Sequence, residues 1–246
     1  GGGREGGAGE GRAAAAPAPV AAPAPPPAPY TVHWVGVRQP VWPYSNANGE
    51  HTYGKPVVLV GPGVGREAWS GNTPDTWQNE CVDRWTYQNG TMANAVGGPG
   101  EKPTCNIFSK EKFKDFKAEA ELVLDAGQNS GFYLRGRYEL QLQVGSIGGV
   151  TAGRQSLGAI YGWKAADLYA GKPAGEVQKL EAIVVGNRVT AYINDIRIHN
   201  NAELPAFTGG ALDNDELAPG PIMIQGDHSR VTFRKLVVTP ITKAGM

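Results

Sequence analysis

The 246-residue chain carries 23 Lys plus Arg against 23 Asp plus Glu, a formal net charge of zero. That balance leaves no broad basic surface to neutralise phosphates, so nucleic acid is not an expected partner. The 35 glycines and 19 prolines suit many short strands joined by turns better than long helices, and the length is enough for one large all-β domain.

Residues 1–30, "GGGREGGAGEGRAAAAPAPVAAPAPPPAPY", have almost no apolar side chains large enough to bury and cannot build a core. The second half favours polyproline II, at about 3.1 Å per residue, and reads as an extended arm. It is no transmembrane helix, because prolines interrupt every apolar run. A start on Gly ahead of such a linker is expected either after a processed export signal, with a lipid anchor at the processed N-terminus, or at an artificial starting point. A single β-sandwich domain is expected over 31–241, followed by a short tail, 242–246.

The domain opens with expected strands at 31–37 and 56–60 around a Pro-rich segment carrying Trp34, Trp42, Tyr44 and Tyr53. Those rings are expected as satellite core, with docking of other protein subunits through residues 1–55 as the alternative. Two cysteines occur, Cys81 and Cys105. In an exported protein the expectation is one disulfide, contributing roughly 3 kcal/mol in the chain-entropy model, against two buried free thiols.

Asn89-Gly90 between two strand-like runs predicts a hairpin, because a type I′ turn needs positive φ at both central residues. In "FKDFKAEAELVL", Phe116, Ala118, Ala120 and Leu122 alternate with Lys117, Glu119 and Glu121, the pattern of a half-buried strand. "NSGFYLRGRYELQLQV", residues 129–144, sorts into a greasy face of Phe132, Leu134, Leu140 and Leu142 and a polar face of Tyr133, Arg135, Glu139, Gln141 and Gln143, with a bend expected at Gly136. A loop around Tyr161 and Trp163 follows. Further strands are broken at Gly186-Asn187 and Asn194-Asp195, and two more close the domain before residue 241. No sustained helical periodicity appears after residue 31, so one antiparallel sandwich is expected.

"NSGFYLRGRYELQLQ", "GAIYGWKA", "KPAGE", "TGGALDNDELAPGPIMIQGDH" and "FRKLVVTP" occur in order over about residues 56–241. Together they resemble the 3-keto-disaccharide hydrolase family, formerly DUF1080. The resemblance implies a concanavalin A-like jelly roll whose concave face receives a sugar, in an exported, periplasmic or outer-surface protein. It implies a carbohydrate ligand met by Tyr133, Gln141, Gln225 and Asp227, with Tyr161 and Trp163 to stack on the sugar. The implied chemistry removes the C2 proton of a sugar oxidised at C3 and expels the C1 substituent. Glu139 or His228 is the candidate base and Arg135 the candidate enolate stabiliser, which a divalent metal ion could assist or replace.

Bland readings stand beside these. Arg135 and Glu139 could be a structural ion pair, His228 a satisfied loop histidine, and "DNDE" at 213–216 a solvated acidic turn instead of a calcium loop. His33, His51 and His199 show no zinc spacing. The chain departs from the family pattern at Val144, where an Asp is usual, and at Tyr169, Val177 and Ser229. Those departures put enzymatic activity in doubt. They leave a carbohydrate-binding module, or a non-catalytic accessory subunit of a larger membrane-associated envelope complex docked through the N-terminal arm, as alternatives.

Overall fold

The computed structural model describes residues 41–71, 82–94, 105–145 and 153–245, which fall within one unit, Gln39–Met246. The expected all-β architecture forms as a jelly-roll sandwich of two antiparallel sheets. The larger sheet holds nine strands: β12 (Ile196–Glu203), β11 (Arg188–Ile193), β10 (Val177–Val185), β7 (Phe116–Val123), β14 (Thr232–Lys243), β5 (Thr91–Asn94) and β4 (Trp85–Gln88) in that order, with β1 (Thr52–Tyr53) and β2 (Val57–Val60) also on β14. The smaller runs β3 (Trp69–Gly71), β6 (Ile107–Phe113), β13 (Gly220–Ile224), β8 (Asn129–Leu134), β9 (Tyr138–Gln143).

Local signals explain much of this. Asn89 and Gly90 have φ of 52° and 74°, and Gln88 pairs with Thr91, giving the predicted two-residue hairpin between β4 and β5. Strand β7 alternates buried and half-buried residues along its whole length, as its sequence predicts. Ala118, Ala120 and Leu122 from β7 join Phe132, Leu134 and Leu140 from the smaller sheet in one core, with the Phe132 and Phe233 rings tilted at 34° and 6.4 Å apart between centroids. Each large side chain buried there contributes about 1.5–3 kcal/mol.

The aromatic segment corrects one expectation. Tyr44 is 81% exposed and Tyr53 is also exposed, so neither belongs to the core. Residues 41–51 form no regular strand, and short β1 pairs with β14 with Tyr53 exposed. The expected strand at 31–37, Trp34, the arm and Cys81 lie outside the described residues, and the Cys81–Cys105 pairing with them.

Candidate active site

Strands β8 and β9 pair so that Tyr133 faces Glu139, Gly131 faces Gln141 and Asn129 faces Gln143. Directly paired residues share a face, so these six line the outer face of the smaller sheet, while Phe132, Leu134, Leu140 and Leu142 point into the core. The polar set is buried too: Tyr133, Glu139 and Gln141 are each no more than 3% exposed. Phe108 and Met223 pack against Tyr133 in a small apolar cluster separate from the main core.

The Tyr133 hydroxyl lies 2.9 Å from Glu139 Oε2 and 2.9 Å from the Gly209 carbonyl oxygen. A hydroxyl donates one proton, and both neighbours are acceptors when Glu139 is ionised. The single Tyr133 proton is therefore given to one acceptor at a time, and giving it to Glu139 favours the ionised carboxylate. Burial pushes the Glu139 carboxyl up to about 7, against the lowering effects of the Tyr133 bond and nearby His228. Its proton therefore moves near neutral pH. The Tyr133 phenol is pushed well above its ordinary range by burial and by Glu139.

Arg135 does not join Glu139. Strand alternation stops at Leu134, because Arg135 and Gly136 take φ of 56° and 68° and Arg137 N–H donates to the Leu134 carbonyl at 3.1 Å, a tight reversal. Left-handed backbone at a non-glycine residue costs about 1–2 kcal/mol. The turn carries the Arg135 guanidinium to the other side, fully buried 5.2 Å from the rings of Trp42 and Tyr138, with Nη2 donating to the Gly186 carbonyl. Stacking of this kind offsets the strain by about 0.5–2 kcal/mol per ring. Burial pushes the guanidinium pKa down. The expected ion pair between Arg135 and Glu139 is likewise not formed; Tyr133 is the partner of Glu139.

The next arginine does what sequence reasoning missed. Arg137 grips Asp213 with Nε–Oδ1 at 2.6 Å and Nη2–Oδ2 at 3.1 Å, and donates to the Ala218 carbonyl at 3.0 Å. The Tyr138 hydroxyl donates to Glu216 Oε2 at 2.6 Å, and Thr208 Oγ1 accepts from Glu139 N–H at 2.9 Å. Residues 208–218 are thus strapped to the β8–β9 turn, which fixes the Gly209 carbonyl over Tyr133. The acidic run at 213–216 serves this strap; the signal for it was its own Asp and Glu together with Arg137. Gly131 was also missed: a Cβ there would strike Glu139 Oε1 and come within 2.7 Å of Tyr133 Cε2.

The other expected residues gather around this pair to different degrees. Gln225 continues β13 beside Gly131, its N–H donating to the Gly131 carbonyl at 3.0 Å. Asp227 and His228 follow, half exposed, with His228 Nδ1 2.6 Å from Asp227 Oδ1, and both act electrostatically on Glu139. That contact engages Nδ1 and leaves Nε2 as the ring nitrogen not bound by Asp227. Segment 158–164 runs along the edge of β9, with Tyr161 N–H donating to the Glu139 carbonyl at 3.0 Å. Tyr161 is therefore beside the pair, whereas Trp163 sits on the following turn, 46% exposed.

Among the described residues no three His, Cys, Asp or Glu side chains are grouped so as to hold a metal ion. Of the departures, Val144 is buried in the core, Tyr169 packs against it, Val177 starts β10, and the Ser229 carbonyl accepts from Asn94 Nδ2 at 2.8 Å.

A family model of the 3-keto-alpha-glucoside-1,2-lyase-like domain matches residues 62–239. No curated protein matches the chain in sequence. Among solved structures, a candidate glycosyl hydrolase from Parabacteroides distasonis ATCC 8503 aligns with a TM-score of 0.61 at 21% identity, covering 84% of this chain and 94% of its own. A second candidate glycosyl hydrolase of that organism aligns with a TM-score of 0.56 at 17% identity, over 74% of this chain and 92% of its own. These likenesses establish the fold.

Proposed function

Because the chain belongs to the 3-keto-alpha-glucoside-1,2-lyase-like family, we propose that it is an exported sugar-active domain that cleaves 3-keto-glycosides on the outer face of its smaller sheet. The observation that carries this reading is the buried Tyr133–Glu139 pair, whose carboxyl changes protonation near neutral pH. In a sugar oxidised at C3, the ketone acidifies the C2–H. Glu139 takes that proton, the C–H electron pair forms the enolate, and collapse of the enolate to a C1–C2 double bond expels the glycosidic oxygen with its bonding pair. That oxygen takes a proton from His228 or solvent. Tyr133 stabilises the ionised carboxylate, and His228, held by Asp227, is the second proton-transfer group. Arg135 has no part in this scheme.

The test is release of aglycone from a 3-keto-glucoside, followed for wild type, Glu139→Gln and His228→Ala. Wild type should be much faster, with kcat/KM rising as Glu139 ionises through about pH 7. A wild type no faster than both variants would overturn the catalytic reading.

A second reading, an accessory subunit of a membrane-associated envelope assembly, is favoured by the exposed Val41, Tyr44 and Tyr53 downstream of the Pro/Ala arm and by Val144 in place of a carboxylate. No helix among the described residues is long and apolar enough to cross a membrane. Deleting residues 1–29 should then abolish co-purification with partner proteins. Unchanged recovery would remove this reading.

A further inference from the structure

A cavity of about 650 Å³ opens where β9 ends, with Gln143, Arg154, Gln155, Gly162 and Tyr169 in its wall. Its size is that of a small-molecule site. Gln143 stands four residues past Glu139 on the same face of β9, so the cavity lies about 13 Å along the strand from that residue. It shares no side chain with the Tyr133–Glu139 pair or with Gln141, Gln225, Asp227 and His228.

The wall is held by the chain's own hydrogen bonds. Gly162 N–H donates to the Arg154 carbonyl at 3.0 Å, which folds 153–162 back on itself, and Gly153 N–H donates to Ser156 Oγ at 3.0 Å. The return needs the φ of 73° that Gly162 supplies. On the opposite side the Tyr169 ring packs against the main core, and Gly171 leaves room for its hydroxyl, since a Cβ there would stand 2.6 Å from it. Tyr169 is one of the positions at which this chain departs from the family pattern, so the aromatic side of the cavity is its own.

No acidic side chain lines the cavity, and Arg154 has no ion-pair partner among the described residues. The Gln143 side chain makes no hydrogen bond among them either, while Gln155 Nε2 donates to the Tyr161 hydroxyl at 3.4 Å and leaves its carbonyl oxygen open. Arg154 and Gln155 are exposed and Gln143 is half-buried, so a ligand reaches all three from solvent. A lone guanidinium balances a monoanion, and its planar fork takes both oxygens of a carboxylate. Two amides suit hydroxyls, and an aromatic ring suits the C–H face of a sugar.

We propose that the cavity at the end of β9 is a separate binding site for a carboxylate-bearing sugar ring, with Arg154 pairing with the carboxylate, Gln143 and Gln155 meeting hydroxyls and Tyr169 forming the apolar wall. That the anion is carried on a sugar rests on the sugar-active reading above; the preference for an anion rests on the cavity alone. The site moves no proton and stands beside the reacting face, where it selects an acidic unit next to the ring held at Glu139.

The experiment uses the full chain and calorimetry at about 0.15 M salt, with thermal unfolding to check that each variant folds. The probes are methyl β-glucuronide, the neutral methyl β-glucoside, its 6-sulfate and acetate. Wild type should bind the glucuronide about tenfold more tightly than each of the other three. Arg154→Met should erase the margin over the neutral glucoside, whereas Arg197→Met, which removes an exposed arginine from the larger sheet, should keep it.

Equal affinity for the acidic and neutral glycosides, or a margin that survives in Arg154→Met or falls equally in Arg197→Met, would overturn the inference. A 6-sulfate bound as tightly as the glucuronide would overturn the carboxylate assignment, and acetate bound as tightly would overturn the sugar ring. Glucuronide preference in a chain that releases no aglycone from a 3-keto-glucoside would uphold this site and remove the catalytic reading alone. Aglycone release without that preference would do the reverse.

Discussion

The two outer faces of the sandwich are built from the same alternating strand pattern and do opposite things with charge. On the larger sheet, Lys117 bridges Glu119 at 3.1 Å and Glu181 at 3.8 Å, Lys235 approaches Glu119 at 4.0 Å and Lys179 meets Asp195 at 3.4 Å. These groups remain wet, each side chain at least 27% exposed, and opposite charges cancel side by side. On the smaller sheet, Glu139 is buried, has a phenol in place of a cation as its partner, and is pushed up to about 7 by desolvation. What separates the two faces is therefore whether a carboxylate stays in water beside a lysine or is buried against a neutral phenol.

Substitutions at matched positions on the two faces should break this contrast in order of size. Glu139→Gln should lower kcat on a 3-keto-glucoside by about 10²–10⁴-fold, while Glu119→Gln on the other face leaves it unchanged. Equal effects would erase the distinction.

Stability should separate the faces next. The raised pKa of Glu139 means that the folded chain holds this proton more tightly than the unfolded chain does. Its contribution is fully present below about pH 4.5 and is lost as pH rises through about 7. Wild-type Tm should fall across that window by an amount reflecting up to about 3 kcal/mol, and Glu139→Gln should flatten the curve. A profile identical in the variant would show that burial of this carboxyl has no energetic consequence.

The strap comes third. Arg137→Met removes a half-buried two-pronged grip on Asp213 and should cost about 1–3 kcal/mol in chemical denaturation, with a fall in turnover because the Gly209 carbonyl loses its hold over Tyr133. The Asp213 carboxyl is raised by burial but lowered further by its bonds from Arg137 and the Asp215 N–H, so its net pKa is below the ordinary range. The smallest effect belongs to Lys179→Gln on the larger sheet, within about 0.5 kcal/mol, since exposed pairs contribute little.

Much of the fold was legible because strand alternation and primed turns are local properties. The half-buried register of β7, the hairpin at Asn89-Gly90 and the split of 129–144 into two faces follow from side-chain period and positive φ alone. The site was legible only in part. Tyr133, Glu139, Gln141 and Gln225 were expected on one face and do share it, but Arg135 was read as continuing an alternation that its own left-handed turn ends. The partners of Arg137 and Tyr138 lie 76 and 78 residues away, beyond any local period.

The amino-acid order by itself determined which side chains turn inward, where the chain reverses and which family's blocks it carries, because those depend on neighbours one to four residues apart. Tertiary structure alone decided that the polar face would be buried, that Arg135 would leave it, and that a carboxyl would be set against a phenol above a glycine. Burial and hydrogen-bond satisfaction are set by segments brought together across the sheet, and that arrangement turns an ordinary glutamate into one that titrates near neutrality.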